Sequence, residues 1–214
     1  MRRHSLTGFR QGDHVCGLYE TPEEQLVTAS RFIGDGLRHG ERCVYAAAAI
    51  DGVSALRARL RDGGIDVPYE EERRSLVLIT GDHAWQSGGQ FHPERMVRLL
   101  NTGLEQALED GYVGFRTCGD MSWLQDGATG PVVVSDYEAR CTEFFRSVRG
   151  LCMCLYDRRL PSPLLHAALA THPSLFLDGL HRRNPFFATS SGPADDPSEA
   201  ALQRKLETLR PADA

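Results

Sequence analysis

The 214 residues carry 24 Lys and Arg against 29 Asp and Glu, a formal net charge of -5 at pH 7. This acidic balance argues against a nucleic-acid interface, which requires a basic surface, and no apolar run approaches the roughly 20 residues that span a bilayer. With 41% apolar residues the chain can bury a real core, and we expect a cytoplasmic protein that contacts neither nucleic acid nor membrane directly.

The first half of the chain alternates strand-like and helix-like patterns after a polar lead-in over residues 1–12. Apolar runs and period-two alternation predict strands, and apolar residues at helical spacing predict helices. We expect, in order, a strand over 13–19, a helix over 22–38, a strand over 42–49, a basic helix capped by Asp51 and ended by Gly63-Gly64, and a strand over 75–80. The polar loop over 81–92, with Trp85, fits a ligand loop about as well as disorder.

The second half continues this alternation within a domain predicted over residues 13–187. The expected elements are a helix over 93–110, a strand over 112–118, a helix over 132–148, a strand over 151–156, a helix from Ser162 to just before His172-Pro173, and a short strand over 174–177. Residues 188–214 are predicted to be a linker followed by a short amphipathic helix that Ser198 caps. Because such a helix is marginal alone, we expect it to dock on the domain or on a second chain.

Strands that alternate with helices at this spacing predict an α/β fold, a three-layer sandwich with a mostly parallel central sheet. In such a sheet the ligand crevice lies at the carboxyl ends of the strands. The predicted strand exits carry Tyr19, Asp120, Trp123 and Asp157, so we expect an apolar pocket with a few polar groups there. The alternative is that Trp123 is a core aromatic residue and that the two aspartates cap turns or pair with arginines.

The turn after the first strand lacks the features of a phosphate-binding loop. Thr21 and Glu24 match a capping box, and the acidic first turn already complements the helix dipole. Lys205 is the only lysine, so the core has neither a P-loop lysine nor a Schiff-base lysine. In a divergent nucleotide hydrolase Arg116 or Arg158 could replace the charge of that lysine, but as a planar guanidinium and not as a point charge. The GxSxG and HExxH motifs are absent, and we expect a non-catalytic protein without a cofactor.

The cysteines lie mainly in apolar segments, which is typical of buried thiols and not of a disulfide framework; they are Cys16, Cys43, Cys118, Cys141, Cys152 and Cys154. One metal hypothesis arises from His14-x-Cys16 and Cys152-x-Cys154, since His and Cys ligands on neighbouring strands suit zinc or copper. Against it, residues i and i+2 of a strand are separated by about 6.6–6.8 Å, too far for a compact chelate. Buried thiols are the favoured interpretation, and a metal or haem sensor is the alternative.

Several segments resemble one known family, and they occur in the family's order: DHVCGLYET, GLRHGERCVY, GFRTCGDMSW, DYEARCTEFF, LCMCLYDRRLP and THPSLFLDG followed by NPFF. Over about residues 13–187 the chain resembles the MEDS domain, the sensory domain named for methanogen and methylotroph regulators. The resemblance implies a degenerate relative of the KaiC/RecA-like ATPase fold that has lost its P-loop. It also implies a ligand-sensing role, with hydrocarbon derivatives as the proposed ligands.

The resemblance further implies coupling to an output module, such as a DNA-binding, kinase or anti-sigma protein. The 27 residues after Phe187 are too few for such a module, so we expect output through a separate partner or through self-association. The leading hypothesis is a non-catalytic sensor of a small, partly apolar molecule, and the alternative is a protein-interaction module that docks through the C-terminal helix. The residues matched as candidate ligand-binding positions are His14, Cys16, Tyr19, Arg116, Asp120, Trp123, Tyr156 and Asp157.

Overall fold

The structure is a computed structural model that describes residues 8–80, 91–188 and 196–209. Its strands are β1 (His14–Tyr19), β2 (Arg42–Ala47), β3 (Leu76–Thr80), β4 (Phe115–Asp120), β5 (Gly150–Asp157), β6 (Ser174–Leu177) and β7 (Leu180–Arg183). Its α-helices are α1 (Pro22–Arg38), α2 (Ile50–Asp62), α3 (Val67–Glu72), α4 (Pro93–Glu109), α5 (Pro131–Phe145), α6 (Ser162–Thr171) and α7 (Glu199–Thr208), and a 3-10 helix spans Met121–Asp126.

In the described part of the chain the strands form one sheet in the order β3-β2-β4-β5-β1-β6-β7. All pairs are parallel except β6–β7, which is antiparallel. Helices α1 to α3 pack on one face of the sheet, and α4 to α7 pack on the other. Every residue of β1 and β5 is buried, as expected of central strands covered on both faces. The predicted three-layer α/β sandwich with a mostly parallel sheet is confirmed.

The capping box predicted at the start of α1 is present. The hydroxyl of Thr21 accepts a hydrogen bond from the backbone N–H of Glu24 (3.2 Å), and the Glu24 carboxylate accepts from the N–H groups of Glu20 (2.8 Å) and Thr21 (3.3 Å). The Glu20 carboxylate pairs with Arg158. The backbone N–H groups of Glu20, Thr21 and Glu24, which a phosphate at this helix N-terminus could use, are therefore already occupied by a carboxylate and a hydroxyl.

The structure corrects the bounds of one predicted strand and the N-cap of one predicted helix. The strand predicted over 112–118 spans Phe115–Asp120. The backbone N–H of Tyr112 bonds to the Ala107 carbonyl (3.0 Å), so this residue still belongs to the end of α4. Asp51 lies in the first turn of α2, while the N-cap is Ala49, which makes no side-chain capping bond. The prediction that Asp51 caps this helix is therefore wrong, although an acidic side chain in the first turn still complements the helix dipole.

The antiparallel edge strand β7 was missed. It follows β6 through Asp178 and Gly179, whose φ angles of 52° and 78° are both positive. Two successive left-handed residues are the geometry of a tight two-residue hairpin turn, for which Asp-Gly is a preferred pair. The sequence therefore contained this signal, but LHRR is too short and too polar to stand out as a strand.

The C-terminal helix α7 docks on its own domain. Ser198 is its N-cap, as predicted, and the Ser198 carbonyl accepts a hydrogen bond from His166 on α6 (3.2 Å). Leu202, Leu206 and Leu209 are buried in the same core as α4, α5 and α6. Of the two docking alternatives, the structure shows the intramolecular one.

The ligand loop predicted over 81–92 remains a prediction, because Trp85 and the rest of residues 81–90 lie outside the described residues.

Among the helices that the structure describes, none has both the length and the apolar character that crossing a bilayer requires.

Candidate functional site

Four buried side chains from distant parts of the sequence meet on the α5 face of the sheet. They are His14 from β1, Glu138 from α5, Cys154 from β5 and His172 at the C-cap of α6. One donor atom from each lies within 4.8 Å of the others. None of the four side chains is more than 2% exposed, so this polar cluster is enclosed in the core.

The pairing of β1 with β5 explains why this face is rich in His and Cys. Its register places His14 beside Cys152 and Cys16 beside Cys154. Because side chains alternate along a strand, all four of these residues point toward α5. The Sγ atoms of Cys152 and Cys154 are 3.7 Å apart.

The carboxylate of Glu138 occupies the middle of the polar cluster. Its Oε2 atom is 3.2 Å from His14 Nε2, 3.5 Å from His172 Nε2 and 3.6 Å from Cys154 Sγ. Its Oε1 atom accepts a hydrogen bond from the Tyr156 hydroxyl. One carboxylate oxygen is therefore held by Tyr156, and the other faces two imidazoles and a thiol.

Partners outside the polar cluster orient both imidazoles. The Thr142 hydroxyl donates to the Thr171 carbonyl (2.7 Å), so its oxygen accepts from Nδ1–H of His14 (2.7 Å). His172 donates from Nδ1 to the Ala168 carbonyl (2.7 Å). In both rings the Nδ1 atom carries the outward hydrogen bond, and Nε2 faces the Glu138 carboxylate.

The electrostatics of the two histidines differ. Burial lowers the pKa of His14, but the hydrogen bond with Cys152 and the Glu138 carboxylate outweigh it and raise the pKa to about 9. Burial and the charge of His14 lower the pKa of His172 to about 3. His172 is therefore neutral at pH 7, and its Nε2 atom is a buried lone pair with no hydrogen-bond partner.

The thiols and the carboxylate are shifted as well. The hydrogen bond from Cys154 is the largest influence on Cys152 and, together with His14, lowers the pKa of Cys152 to about 6. Burial raises the pKa of Glu138, but the adjacent imidazoles and the Tyr156 hydroxyl outweigh it and hold that pKa below its usual value. Charge is thus concentrated in a small volume that solvent does not reach.

The two predicted aspartates lie at the strand exits and are held by neighbouring groups of the chain. Asp157 accepts hydrogen bonds from the backbone N–H of Arg159 (2.8 Å) and from its guanidinium. Asp120 accepts from the backbone N–H groups of Ser122 (2.9 Å) and Ala48 (3.2 Å). This is the arrangement that the alternative interpretation described, with carboxylates that cap turns and pair with arginine.

The other predicted residues divide among three places. Tyr19 and Trp123 are buried near the strand exits, and the Trp123 ring packs against Phe91 in a tilted arrangement with 5.0 Å between the ring centroids. Cys16 and Tyr156 lie with His14 on the α5 face. Arg116 lies on the opposite face, against α1. The structure therefore brings His14, Cys16 and Tyr156 together and leaves Tyr19, Asp120, Trp123 and Asp157 as a second group.

An apolar cavity of about 250 Å³ lies beneath α4, on the same face of the sheet as the polar cluster. None of the eight predicted positions, all of which lie in described segments, is among its lining residues. It is lined by Val44, Ala46, Ile79, Phe91, Met96, Leu99, Leu100, Gly103, Phe115, Thr117, Cys118, Gly119, Met121, Tyr137, Cys152 and Cys154. Cys154 therefore contributes both to this cavity and to the polar cluster.

A family comparison identifies the domain. The model of MEDS, the methanogen/methylotroph, DcmR sensory domain, matches residues 13–173. The chain belongs to the MEDS family. The match runs from just before β1 to just past His172, so it includes every member of the polar cluster. A search of curated proteins finds no match. As a MEDS domain, this chain is a sensory domain.

Sequence reasoning missed two members of the polar cluster in this MEDS domain. Glu138 lies one turn from Val134 and three residues before Cys141 on the buried side of α5, so the helical period could have marked it as a buried carboxylate. His172 precedes Pro173, where the sequence predicts only the end of a helix. Nothing in the sequence pattern places it beside β1 or β5.

Proposed function

We propose that this MEDS domain is a non-catalytic sensor that binds a small, partly apolar molecule in the cavity beneath α4. The observation that carries the proposal is the cavity, which has a volume of about 250 Å³ and is lined mainly by aliphatic and aromatic side chains. An apolar cavity of about 150 Å³ binds benzene, while drug-sized sites span about 300–1,000 Å³. The expected ligand is therefore somewhat larger than benzene and smaller than a typical drug.

The polar character of the ligand follows from Thr117. Its side chain lines the cavity, and its buried hydroxyl makes no hydrogen bond of standard geometry and has the Cys152 thiol as its neighbour. A thiol is a weak hydrogen-bond acceptor, so a ligand with one donor or acceptor would give this hydroxyl a stronger partner. A hydrocarbon derivative such as an alcohol or ketone combines that single polar atom with an apolar body.

The location refines the strand-exit prediction. Ala46, Ile79 and Gly119 line the cavity near the carboxyl ends of β2, β3 and β4, so the cavity reaches the expected edge of the sheet from the α4 face. We place signal output in a separate cytoplasmic partner, such as a kinase, anti-sigma or DNA-binding protein, or in self-association. The proposal includes descent from KaiC/RecA-like ATPases, and the occupied helix N-terminus at Thr21 supports loss of nucleotide binding.

Thermal unfolding with a panel of small alcohols, ketones and aromatic compounds tests this function, with ATP·Mg²⁺ as the competing candidate. A ligand at 100 times its Kd adds about 2.7 kcal/mol. For a chain of this size about 2–4 °C accompanies each kcal/mol, so a true ligand raises Tm by about 5–10 °C. Stabilisation by ATP·Mg²⁺ with none by any organic compound would overturn the proposal.

Two variants locate the binding. Ala46→Leu places three further carbon atoms in the cavity, so we expect it to remove the ligand-induced shift while Tm without ligand stays close to wild type. Thr117→Val is the matched control, because it preserves the shape and removes only the hydroxyl. It should keep purely apolar binders and weaken those that use a polar group. A ligand-induced shift that survives Ala46→Leu unchanged would place the ligand elsewhere.

A further inference from the structure

We propose that His14, Glu138, Cys154 and His172 form a binding site for one divalent transition-metal ion, with Zn²⁺ as the best-matched ion. The site would be a second sensory or structural element within the domain. It stands on the polar cluster alone and does not depend on what the apolar cavity binds.

The spacing of the donor atoms matches a tetrahedral ion. Zinc holds imidazole nitrogen and carboxylate oxygen at about 2.0–2.2 Å and thiolate sulfur at about 2.3 Å, so tetrahedral ligand atoms lie about 3.4–3.6 Å apart. From Glu138 Oε2 the distances to the two Nε2 atoms are 3.2 and 3.5 Å, and to Cys154 Sγ 3.6 Å. Cys154 Sγ is 3.6 Å from His14 Nε2. All four donor atoms lie within 4.8 Å of one another.

The unpartnered nitrogen of His172 is the second, independent observation. Nδ1 of His172 donates to the Ala168 carbonyl, so the ring presents Nε2 to the polar cluster. This nitrogen is buried 3.5 Å from Glu138 Oε2 and has no hydrogen-bond partner. An unsatisfied buried nitrogen is unfavourable, and a cation bound between it and the carboxylate oxygen would satisfy both.

The groups behind the four ligands are those that support metal sites. A ligating histidine usually donates its other ring N–H to a carbonyl, carboxylate or similar acceptor, which fixes the ring. Here Thr142 serves His14, and the Ala168 carbonyl serves His172. Tyr156 holds the second oxygen of Glu138, so the carboxylate presents a single oxygen to the ion.

The charge of the ligand set also fits a dication. A bound metal ion deprotonates a coordinating thiol outright, so Cys154 and Glu138 would supply two negative charges and the histidines none. The resulting site is neutral overall, as a buried location requires. Four protein ligands fill a tetrahedral shell and leave no open position for water, which fits a structural or sensing role and not a hydrolytic one.

Direct metal titration of the full chain tests the proposal. Protein stripped with a strong chelator is titrated with Zn²⁺ against a competing chromophoric chelator, and separately with Co²⁺ while its absorption is recorded. We expect one ion per chain, and with Co²⁺ both a thiolate-to-metal charge-transfer band and the ligand-field bands of a tetrahedral site. Less than stoichiometric binding by the stripped, folded wild type overturns the proposal.

Variants assign the ligands. Cys154→Ser should abolish the charge-transfer band, while Cys43→Ser, a buried thiol on the opposite face, should retain it. His172→Asn keeps a donor near the position of Nδ1 and removes Nε2, so affinity should fall by at least about 100-fold. Thr142→Val removes the hydroxyl that accepts from His14 and donates to the Thr171 carbonyl, and it should weaken binding about 10–100-fold.

The cavity variant separates the two proposals. Ala46→Leu should bind Zn²⁺ as the wild type does, even where it no longer binds an organic ligand. If Cys43→Ser and Cys154→Ser lose the charge-transfer band equally, or neither loses it, the assignment of Cys154 is wrong. Should His172→Asn fail to fold, the wild-type stoichiometry and the two cysteine variants still decide the outcome.

Discussion

Arg116 provides a sharp test of the distinction between a ligand residue and a structural one. Its guanidinium is 4% exposed and pairs with the buried carboxylate of Glu41. It also donates to the Phe32 carbonyl (2.9 Å), lies over the Phe32 ring at 4.8 Å and approaches Asp35 at 3.7 Å. These contacts hold β4 against α1, on the face of the sheet that lacks the cavity and the polar cluster.

Arg116→Met tests this structural role by removing the charge while keeping most of the side-chain volume. Removal of one partner from a buried ion pair costs about 3–5 kcal/mol, because the other charge stays buried without compensation. Glu41 keeps a hydrogen bond from Gln11, so we expect the lower end, about 3 kcal/mol. Urea unfolding at pH 7, analysed by linear extrapolation, measures this loss in the free energy of unfolding.

The double variant Arg116→Met with Glu41→Leu is the matched control. Replacing both members of a buried pair by apolar residues is often neutral or stabilising, so most of the lost stability should return. Because the pair is buried, the cost of the single variant should persist near 1 M salt, where the Debye length is about 3 Å. The structural role is refuted if the single variant loses less than about 1 kcal/mol while losing ligand-induced stabilisation.

Three further predictions concern the packing of the helices. Gly36→Ala should cost about 1–3 kcal/mol in urea unfolding, since a Cβ there would lie 2.6 Å from Arg116 Nε. Gly34→Ala, in the same helix, places a Cβ at ordinary contact distance, 3.4 Å from the end of Arg38 and 3.6 Å from Leu60 Cδ2, and should gain up to about 1 kcal/mol. Equal effects of the two substitutions would contradict the clash at Gly36. Thr21→Ala should cost about 1 kcal/mol through the lost cap, with Thr21→Ser near wild type. Leu202→Ala should increase amide hydrogen exchange in α7 before the global transition, and unchanged exchange would count against its docking.

The sequence predicted the long elements well because their signals are local. The ends of α1 follow from a capping box and from His39-Gly40, and β5 follows from an uninterrupted apolar run. The errors fall where the signal is short. The six-residue helix α3 and the four-residue strand β7 depend on tertiary packing more than on their own composition.

The polar cluster was predictable only in part, for a geometric reason. The spacing argument compares backbone positions along one strand, and it fails for Cys152 and Cys154, whose Sγ atoms lie only 3.7 Å apart. The polar cluster itself contains one residue from each strand, His14 and Cys154. The order of the strands in the sheet decides which side chains meet, and the sequence of one strand alone does not specify its neighbour.

The position of Cys154 links the two proposals physically. Its thiol lies 3.6 Å from the Glu138 carboxylate in the polar cluster, and its side chain also lines the apolar cavity. A molecule in the cavity that shifts β5 must change the distance from this thiol to the other donors. By thermodynamic linkage, an ion that fixes the thiol must then change the affinity for that molecule by the same factor. A sensor built in this way needs no large movement, because the two sites share one side chain.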